Sequence, residues 1–109
     1  MKAGTLEVLN RLSETLLARR HADPTTSYTA SLFAKGPDSI LKKIGEETTE
    51  LIMAGKEGKR LHIVNEATDV VYHILVLMAF FDLSADDILQ ELHRREGISG
   101  IDEKRSRTA

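Results

Sequence analysis

The sequence has 109 residues, of which 41% are hydrophobic and 29% charged, and its formal net charge is −2. This length and composition predict one ordinary globular domain, and the slightly acidic balance gives no electrostatic case for binding nucleic acid. The absence of cysteine excludes disulfides, thiolate catalysis and cysteine-ligated zinc, and it fits a reducing cytoplasm.

The first predicted element is a helix. Leucines recur at helical spacing from Leu6 to Leu17, Thr5 is a candidate N-cap, and Asp23-Pro24 ends the helix. The residues ahead of it, Met1 to Thr5, form no long apolar stretch. We therefore expect no signal peptide.

Two helices follow in the middle of the chain. Ser27 can cap a short helix over Tyr28 to Lys35, which a Gly-Pro pair closes. Asp38 or Ser39 can open a third helix that runs from Ile40 to about Lys56, where glycines end it.

The second half of the chain predicts two more helices and a tail. A fourth helix runs from about Arg60 to Asp82, and Ser84 to Asp87 resembles a capping box that opens a fifth helix ending at Glu96. We expect residues 1–97 to form the domain and residues 98–109 a polar C-terminal tail. Because no segment alternates as a strand does and the turns are short, the sequence predicts an all-α antiparallel bundle of four to five helices.

The fourth helix is apolar on nearly every side from Val70 to Phe81, except at His73. This run is shorter than the roughly 20 residues that cross a bilayer, so we expect no membrane span. A helix that is apolar all round must be buried all round. A second copy of the chain is the simplest cover, and we predict a homodimer. The short second and fifth helices are the alternative cover.

Five carboxylates stand out on the third and fourth helices. Glu46, Glu47 and Glu50 fall within a sector of about 100°, and Glu66 and Asp69 lie about 60° apart on the next helix. If the two helices are antiparallel neighbours, the two groups can meet. The set comprises Glu46, Glu47, Glu50, Glu66 and Asp69.

Carboxylates gathered in this way repel one another, and a divalent cation removes the conflict. Mg²⁺ prefers oxygen ligands and keeps waters that substrate phosphates can replace. The alternative is a solvated acidic face on which Lys42 and Lys43 pair with Glu46 and Glu47. Di-iron bundles fit less well because they need Glu-x-x-His motifs, which this chain lacks at Glu50 and Glu66.

Basic residues and one histidine flank the carboxylates. Four lysines can supply the counter-charge that phosphates need, although each taken singly is more typical of a solvent-facing residue: Lys35, Lys42, Lys43 and Lys56. His73 lies four residues after Asp69 and can be either a hydrogen-bonded core residue or a second layer around the site. The remaining histidines are predicted at the surface: His21, His62 and His93.

The acidic pattern Glu-Glu-x-x-Glu followed by Glu-x-x-Asp resembles the signature of the MazG-like superfamily of all-α nucleoside triphosphate pyrophosphohydrolases. Within that superfamily, nearly the whole chain is similar to the phosphoribosyl-ATP pyrophosphatase family. The tail and the segment after Ser27 are its most specific marks. The stretches that carry the resemblance are Ala18 to Pro24, Ser27 to Leu32, Lys43 to Glu47, Asp69 to His73 and Gly97 to Lys104.

The resemblance implies a cytoplasmic enzyme that uses Mg²⁺, with Mn²⁺ as a possible substitute. It implies hydrolysis of phosphoribosyl-ATP to phosphoribosyl-AMP and pyrophosphate, the second step of histidine biosynthesis. By position, the residues that match the family's Mg²⁺ ligands are Glu47, Glu50, Glu66 and Asp69. Glu46 matches a residue that acts on the attacking water or on a second ion.

Two other functions stay open on the residues alone. One is a housecleaning pyrophosphohydrolase for another (deoxy)nucleoside triphosphate, which would keep the same metal site. The other is a non-catalytic helical dimerisation module, against which the five clustered carboxylates argue, since a purely structural seam has no reason to keep charge.

Overall fold

The computed structural model describes residue 4 and residues 7–108. Within that part of the chain, every regular element is helical, as predicted. The N-cap predicted at Thr5 lies outside the described residues. The six α-helices are α1 (Glu7–Ala18), α2 (Tyr28–Lys35), α3 (Pro37–Glu57), α4 (Arg60–Phe80), α5 (Ala85–Arg94) and α6 (Gly100–Thr108), and a 3₁₀ turn at Arg19–His21 follows α1.

The two long helices α3 and α4 pack against each other more extensively than any other pair. Only Gly58 and Lys59 separate them, so the chain reverses and the helices run antiparallel. Gly58 takes a left-handed conformation with φ 75°, and its N–H donates to the carbonyl of Ala54 at 3.0 Å. This is the glycine C-cap that favours a sharp helix end.

The apolar core lies where α1, α2 and α3 meet the second half of α4. Leu16, Ile40 and Val76 are its largest fully buried side chains. A buried hydrogen bond from the Ala85 N–H to Ser13 Oγ, at 2.8 Å, fixes the start of α5 against α1. The remaining members of the core are Leu32, Phe33, Leu75 and Ala79, with Ala85.

The predicted caps of α2 and α5 are confirmed. Ser27 Oγ accepts from the Ala30 N–H at 3.1 Å, and the Ser84 N–H donates to Asp87 Oδ2 at 2.9 Å. The predicted start of α3 at Ile40 is wrong, because the helix begins at Pro37. Proline suits the first helical position, where its fixed φ fits and its missing N–H would be unpaired in any case.

Two predicted helix ends also differ from the structure. Helix α4 ends at Phe80 rather than at Asp82, because Asp82 takes a left-handed conformation with φ 60° that a continuing helix does not allow. Helix α5 ends at Arg94 rather than Glu96, three residues before the left-handed Gly97.

The segment that we assigned to a polar tail contains the sixth helix. Ser99 Oγ accepts from the Asp102 N–H at 3.1 Å and so caps α6. Glu103 of α6 receives two hydrogen bonds from Arg94 Nη2, at 2.7 and 2.8 Å. Periodicity could not reveal this helix, because charged contacts rather than an apolar stripe hold it. The domain boundary at residue 97 stays a prediction.

Helix α4 as a whole is long and apolar enough, by length and composition, to cross a membrane. The expectation of no membrane span rested on Val70 to Phe81 alone, which is shorter than the roughly 20 residues that cross a bilayer. In the structure α4 packs in the bundle and carries Glu66 and Asp69 near its middle. Carboxylates at that depth are costly in a bilayer, so we read α4 as a bundle helix.

Candidate active site

Three of the five predicted carboxylates converge where α3 faces α4. One oxygen each from Glu47, Glu66 and Asp69 lies within 4.8 Å of the other two. Glu66 and Asp69 share one face of α4 because they are three residues apart, and Glu47 meets them from α3. The antiparallel packing of the two helices thus creates the cluster that the sequence spacing predicts.

Burial makes this convergence costly for the folded chain. Glu47 is only 8% exposed. Glu66 is partly buried, and its Oε2 atom has no hydrogen-bond partner among the described residues. Asp69 stays open to solvent. A buried carboxylate oxygen without a donor is unfavourable, and it is the kind of atom that a bound cation would satisfy.

Glu50 lies beside these three residues, at the open side of the cluster. Its pKa is raised above the ordinary value, first by the negative charge of Glu47 and then by the hydrogen bond and charge of Glu66. Such a shift reports carboxylates crowded together without enough positive charge between them. Glu50 is exposed, and it is not one of the three residues whose oxygens meet within 4.8 Å.

One of the four predicted lysines reaches the cluster. Lys43 Nζ lies 3.3 Å from Glu47 Oε1 and 3.6 Å from Glu46 Oε2, and the hydrogen bond with Glu47 raises the pKa of Lys43. Glu46 is thereby placed at the rim of the site. The other three lysines are exposed and form no ion pair with any described residue: Lys35, Lys42 and Lys56.

His62 is a neighbour of the cluster that the sequence analysis placed only at the surface. Its Nε2 lies 3.3 Å from Glu66 Oε1, and its Nδ1 lies 3.5 Å from Glu57 Oε2. The side chain is 45% exposed, so the surface assignment is correct but incomplete. The i,i+4 spacing of His62 and Glu66 was the signal that could have found this contact.

His73 is buried, and both of its ring nitrogens have partners. Nδ1 lies 2.7 Å from the backbone carbonyl oxygen of Asp69, and Nε2 lies 3.0 Å from the hydroxyl of Tyr28. His73 is therefore a hydrogen-bonded core residue, and it also contacts the segment of α4 that carries Asp69. Tyr28 was not among the predicted site residues. The only sequence signal for it was its place in the segment after Ser27.

The described part of the site holds more carboxylates than cations. Among the described residues, one lysine (Lys43) and one histidine (His62) contact these carboxylates, of which there are at least four. Such an excess of oxygen ligands suits Mg²⁺, and an open side next to a lysine suits a phosphate chain.

Comparison with known proteins agrees with this geometry. The family described as phosphoribosyl-ATP pyrophosphohydrolase matches residues 9–96. The protein named phosphoribosyl-ATP pyrophosphatase in Dechloromonas aromatica (strain RCB) is 71% identical over 95% of this chain and 96% of its own length. Proteins of the same name in Aromatoleum aromaticum and Azoarcus sp. (strain BH72) are each 56% identical, over 94% of this chain and 95% of their own lengths.

Proposed function

Because the chain belongs to the phosphoribosyl-ATP pyrophosphohydrolase family, we propose that its acidic cluster binds Mg²⁺ and hydrolyses phosphoribosyl-ATP to phosphoribosyl-AMP and pyrophosphate. The chain is thus a hydrolase of a phosphoric anhydride, in histidine biosynthesis. The single observation that carries the metal-dependent mechanism is the convergence of Glu47, Glu66 and Asp69 within 4.8 Å.

The residues present fit a hard divalent cation. All the converging donors are carboxylate oxygens, and Glu66 Oε2 has no other partner among the described residues. We assign the ion to Glu47, Glu66 and Asp69, with Glu50 as the further ligand that the sequence predicts. When bound, Mg²⁺ polarises a phosphate oxygen and lowers the pKa of a coordinated water, and Mn²⁺ can do the same.

The other side chains bind and orient the substrate and the water. The Lys43 ammonium, 3.3 Å from Glu47 Oε1, can turn toward a phosphate oxygen when the triphosphate arrives. Glu46 stands next to it, and we assign it to the attacking water or to a second ion. The lysines at positions 35, 42 and 56 stay proposed phosphate contacts, since flexible exposed side chains can swing toward a bound triphosphate.

Another nucleotide remains the alternative substrate, because the metal site does not read the base. A substrate panel decides between them. We expect pyrophosphate release from phosphoribosyl-ATP to exceed that from common nucleoside and deoxynucleoside triphosphates, and to require Mg²⁺. Equal release from a deoxynucleoside triphosphate would support the housecleaning function, and no release from any substrate would support the non-catalytic module.

We further propose that the chain forms a homodimer through α4 and α1. The support is the apolar surface that the single chain leaves open, where Val8, Val64 and Val71 are 50%, 59% and 45% exposed. Phe81, at the end of the run from Val70, is 58% exposed. Exposed apolar surface of this extent is typical of an interface. A folded monomer by light scattering at micromolar concentration would contradict the dimer.

The cytoplasm is the compartment that we propose, and a small nucleotide is the only partner we propose besides the second copy. The support is the lack of cysteine and the net charge of −2. Neither feature favours an oxidising compartment or a nucleic-acid partner.

A further inference from the structure

Two side-chain hydrogen bonds join α2 to α4, and they face different surroundings. Thr29 and Tyr72 bond through their hydroxyls, and Thr29 is buried. One residue earlier on α2 and one residue later on α4, the Tyr28 hydroxyl lies 3.0 Å from His73 Nε2, while Tyr28 stays 53% exposed. The first bond is internal to the bundle, whereas the second bond holds a surface tyrosine.

The direction of the proton in the second bond follows from its neighbours. His73 Nδ1 lies 2.7 Å from the Asp69 carbonyl oxygen, which can only accept, so Nδ1 carries the hydrogen. In the neutral ring Nε2 is then an acceptor, and Tyr28 donates its proton to it. The ring of Tyr28 also meets the ring of His73 edge-on, at 6.1 Å between centroids. Tyr28 is therefore fixed in both its ring and its hydroxyl.

This arrangement leaves the Tyr28 oxygen with lone pairs but no proton to give. The Tyr28 hydroxyl lies on the side of α4 that carries Asp69, because His73 contacts the Tyr28 hydroxyl through Nε2 and the Asp69 carbonyl oxygen through Nδ1. A group that can only accept cannot bind a phosphate, which also only accepts. It suits a hydroxyl of the sugar to which the phosphate chain is attached.

We propose that Tyr28 accepts a hydrogen bond from a ribose hydroxyl of the bound nucleotide, and that His73 is the positioning residue that fixes Tyr28 for this contact. The inference rests on the proposed function, because it takes the triphosphate to lie along Lys43 and the acidic cluster. It adds to the metal-binding residues a side chain that recognises the sugar rather than the phosphates.

The chain offers a matched pair of variants to test this. Tyr28→Phe and Tyr72→Phe each remove one hydroxyl from the α2–α4 seam without changing the ring. We expect Tyr28→Phe to lower kcat/KM for phosphoribosyl-ATP by roughly three- to tenfold, mainly through KM, as loss of one hydrogen bond remote from the reacting phosphate should. Tyr72→Phe should keep the wild-type values, even if it lowers the melting temperature as much.

Substrate analogues locate the partner of the hydroxyl. Two analogues lack either the 2′- or the 3′-hydroxyl of the triphosphate-bearing ribose. With the wild type, one of the two should have a kcat/KM lowered by the same factor as the Tyr28→Phe substitution causes. On Tyr28→Phe that analogue should be no worse than the intact substrate. If the losses from the variant and from each analogue simply add, or if Tyr28→Phe keeps wild-type kcat/KM, the inference is wrong.

The role of His73 is tested in the same assay. His73→Leu should lower kcat/KM as Tyr28→Phe does, and should cause no further loss when added to it. His73→Gln, whose amide oxygen can accept from Tyr28, should recover part of the activity. An additive effect of His73→Leu would show that it acts only on the fold. A wild type that releases no pyrophosphate from phosphoribosyl-ATP with Mg²⁺ would instead refute the proposed function.

Discussion

Two charged clusters in this molecule each contain a nearly buried glutamate, but they differ in how much positive charge lies beside it. The acidic cluster of Glu47, Glu66 and Asp69, taken together with the adjacent Glu50, contains Glu47, which is 8% exposed. The arginine cluster (Glu91, Arg94, Arg95, Glu103 and Arg107) surrounds Glu103, which is 5% exposed. The first brings carboxylates together and the second neutralises them.

The contacts show the contrast atom by atom. In the arginine cluster, Arg94 bonds both oxygens of Glu103, and the hydrogen bonds from Arg94 and Arg95 lower the pKa of Glu91 to about 2. In the acidic cluster, the charge of Glu47 raises the pKa of Glu50. Buried carboxylates that the fold pairs with arginines serve the fold, whereas carboxylates gathered with little positive charge form a donor set that suits a cation.

Replacing one acidic-cluster carboxylate by its amide should have the largest effect. We expect Asp69→Asn or Glu50→Gln to lower turnover by roughly 10²- to 10³-fold, since charge that develops on the phosphates loses its stabilisation. The free energy of unfolding without metal should hold or rise, because one repulsive charge is gone. Near-wild-type turnover together with lower metal-free stability would mean that this is a solvated acidic face.

The same change in the arginine cluster should act on stability alone. Glu103→Gln should lower the free energy of unfolding by about 1–2 kcal/mol, less than for a fully buried pair because its arginine partners are about half exposed. Denaturant unfolding with and without Mg²⁺ measures this, and the loss should be equal in both. The matched control is Glu7→Gln, which removes an exposed partner of Arg11 and should change stability by no more than about 0.5 kcal/mol.

The smallest expected effect is a pair of opposite pH dependences in metal-free protein. Because the folded-state pKa of Glu91 is lowered, its contribution is complete above about pH 4.5 and is lost as the pH falls toward about 2. Because the folded-state pKa of Glu50 is raised, its penalty is present at neutral pH, is relieved as the pH falls through that raised pKa, and has gone below about pH 4.5.

Glu50→Gln should therefore be more stable than wild type at neutral pH and equal to it at about pH 3. Glu91→Gln should be less stable than wild type at neutral pH and should approach it only toward about pH 2. Urea unfolding in the presence of a chelator gives both differences. A stability gain in Glu91→Gln at neutral pH, or a loss in Glu50→Gln, would reverse the assignment of the two clusters.

The helices and the carboxylates could be predicted from the sequence because both repeat at the three- to four-residue spacing of a helix. The apolar period gave α1 to α5, and the spacing of three and four residues placed Glu47, Glu66 and Asp69 on facing sides. Helix α6 was missed because it docks through Glu103 and has no apolar stripe. The pairing of Glu103 with Arg94 depends on how α5 and α6 pack, which the local sequence pattern does not show.

The parts of the site that escaped prediction are contacts between elements. Tyr28 meets His73 only because α2 packs on α4, which no local spacing encodes. The same limit applies to the lysines, since composition suggests four candidates and only the packing brings Lys43 to Glu47. His62 is the exception, because its spacing from Glu66 already placed the two on one helical face.

The most direct test of the account is a calorimetric titration of Mg²⁺ into the wild type, Glu66→Gln and Glu103→Gln. If the acidic cluster exists to hold a divalent cation, the wild type and Glu103→Gln bind Mg²⁺ with equal affinity, and Glu66→Gln binds it at least about tenfold more weakly. Equal affinity in all three proteins, or no binding by the wild type, would contradict the claim that the unbalanced charge between α3 and α4 is a metal site.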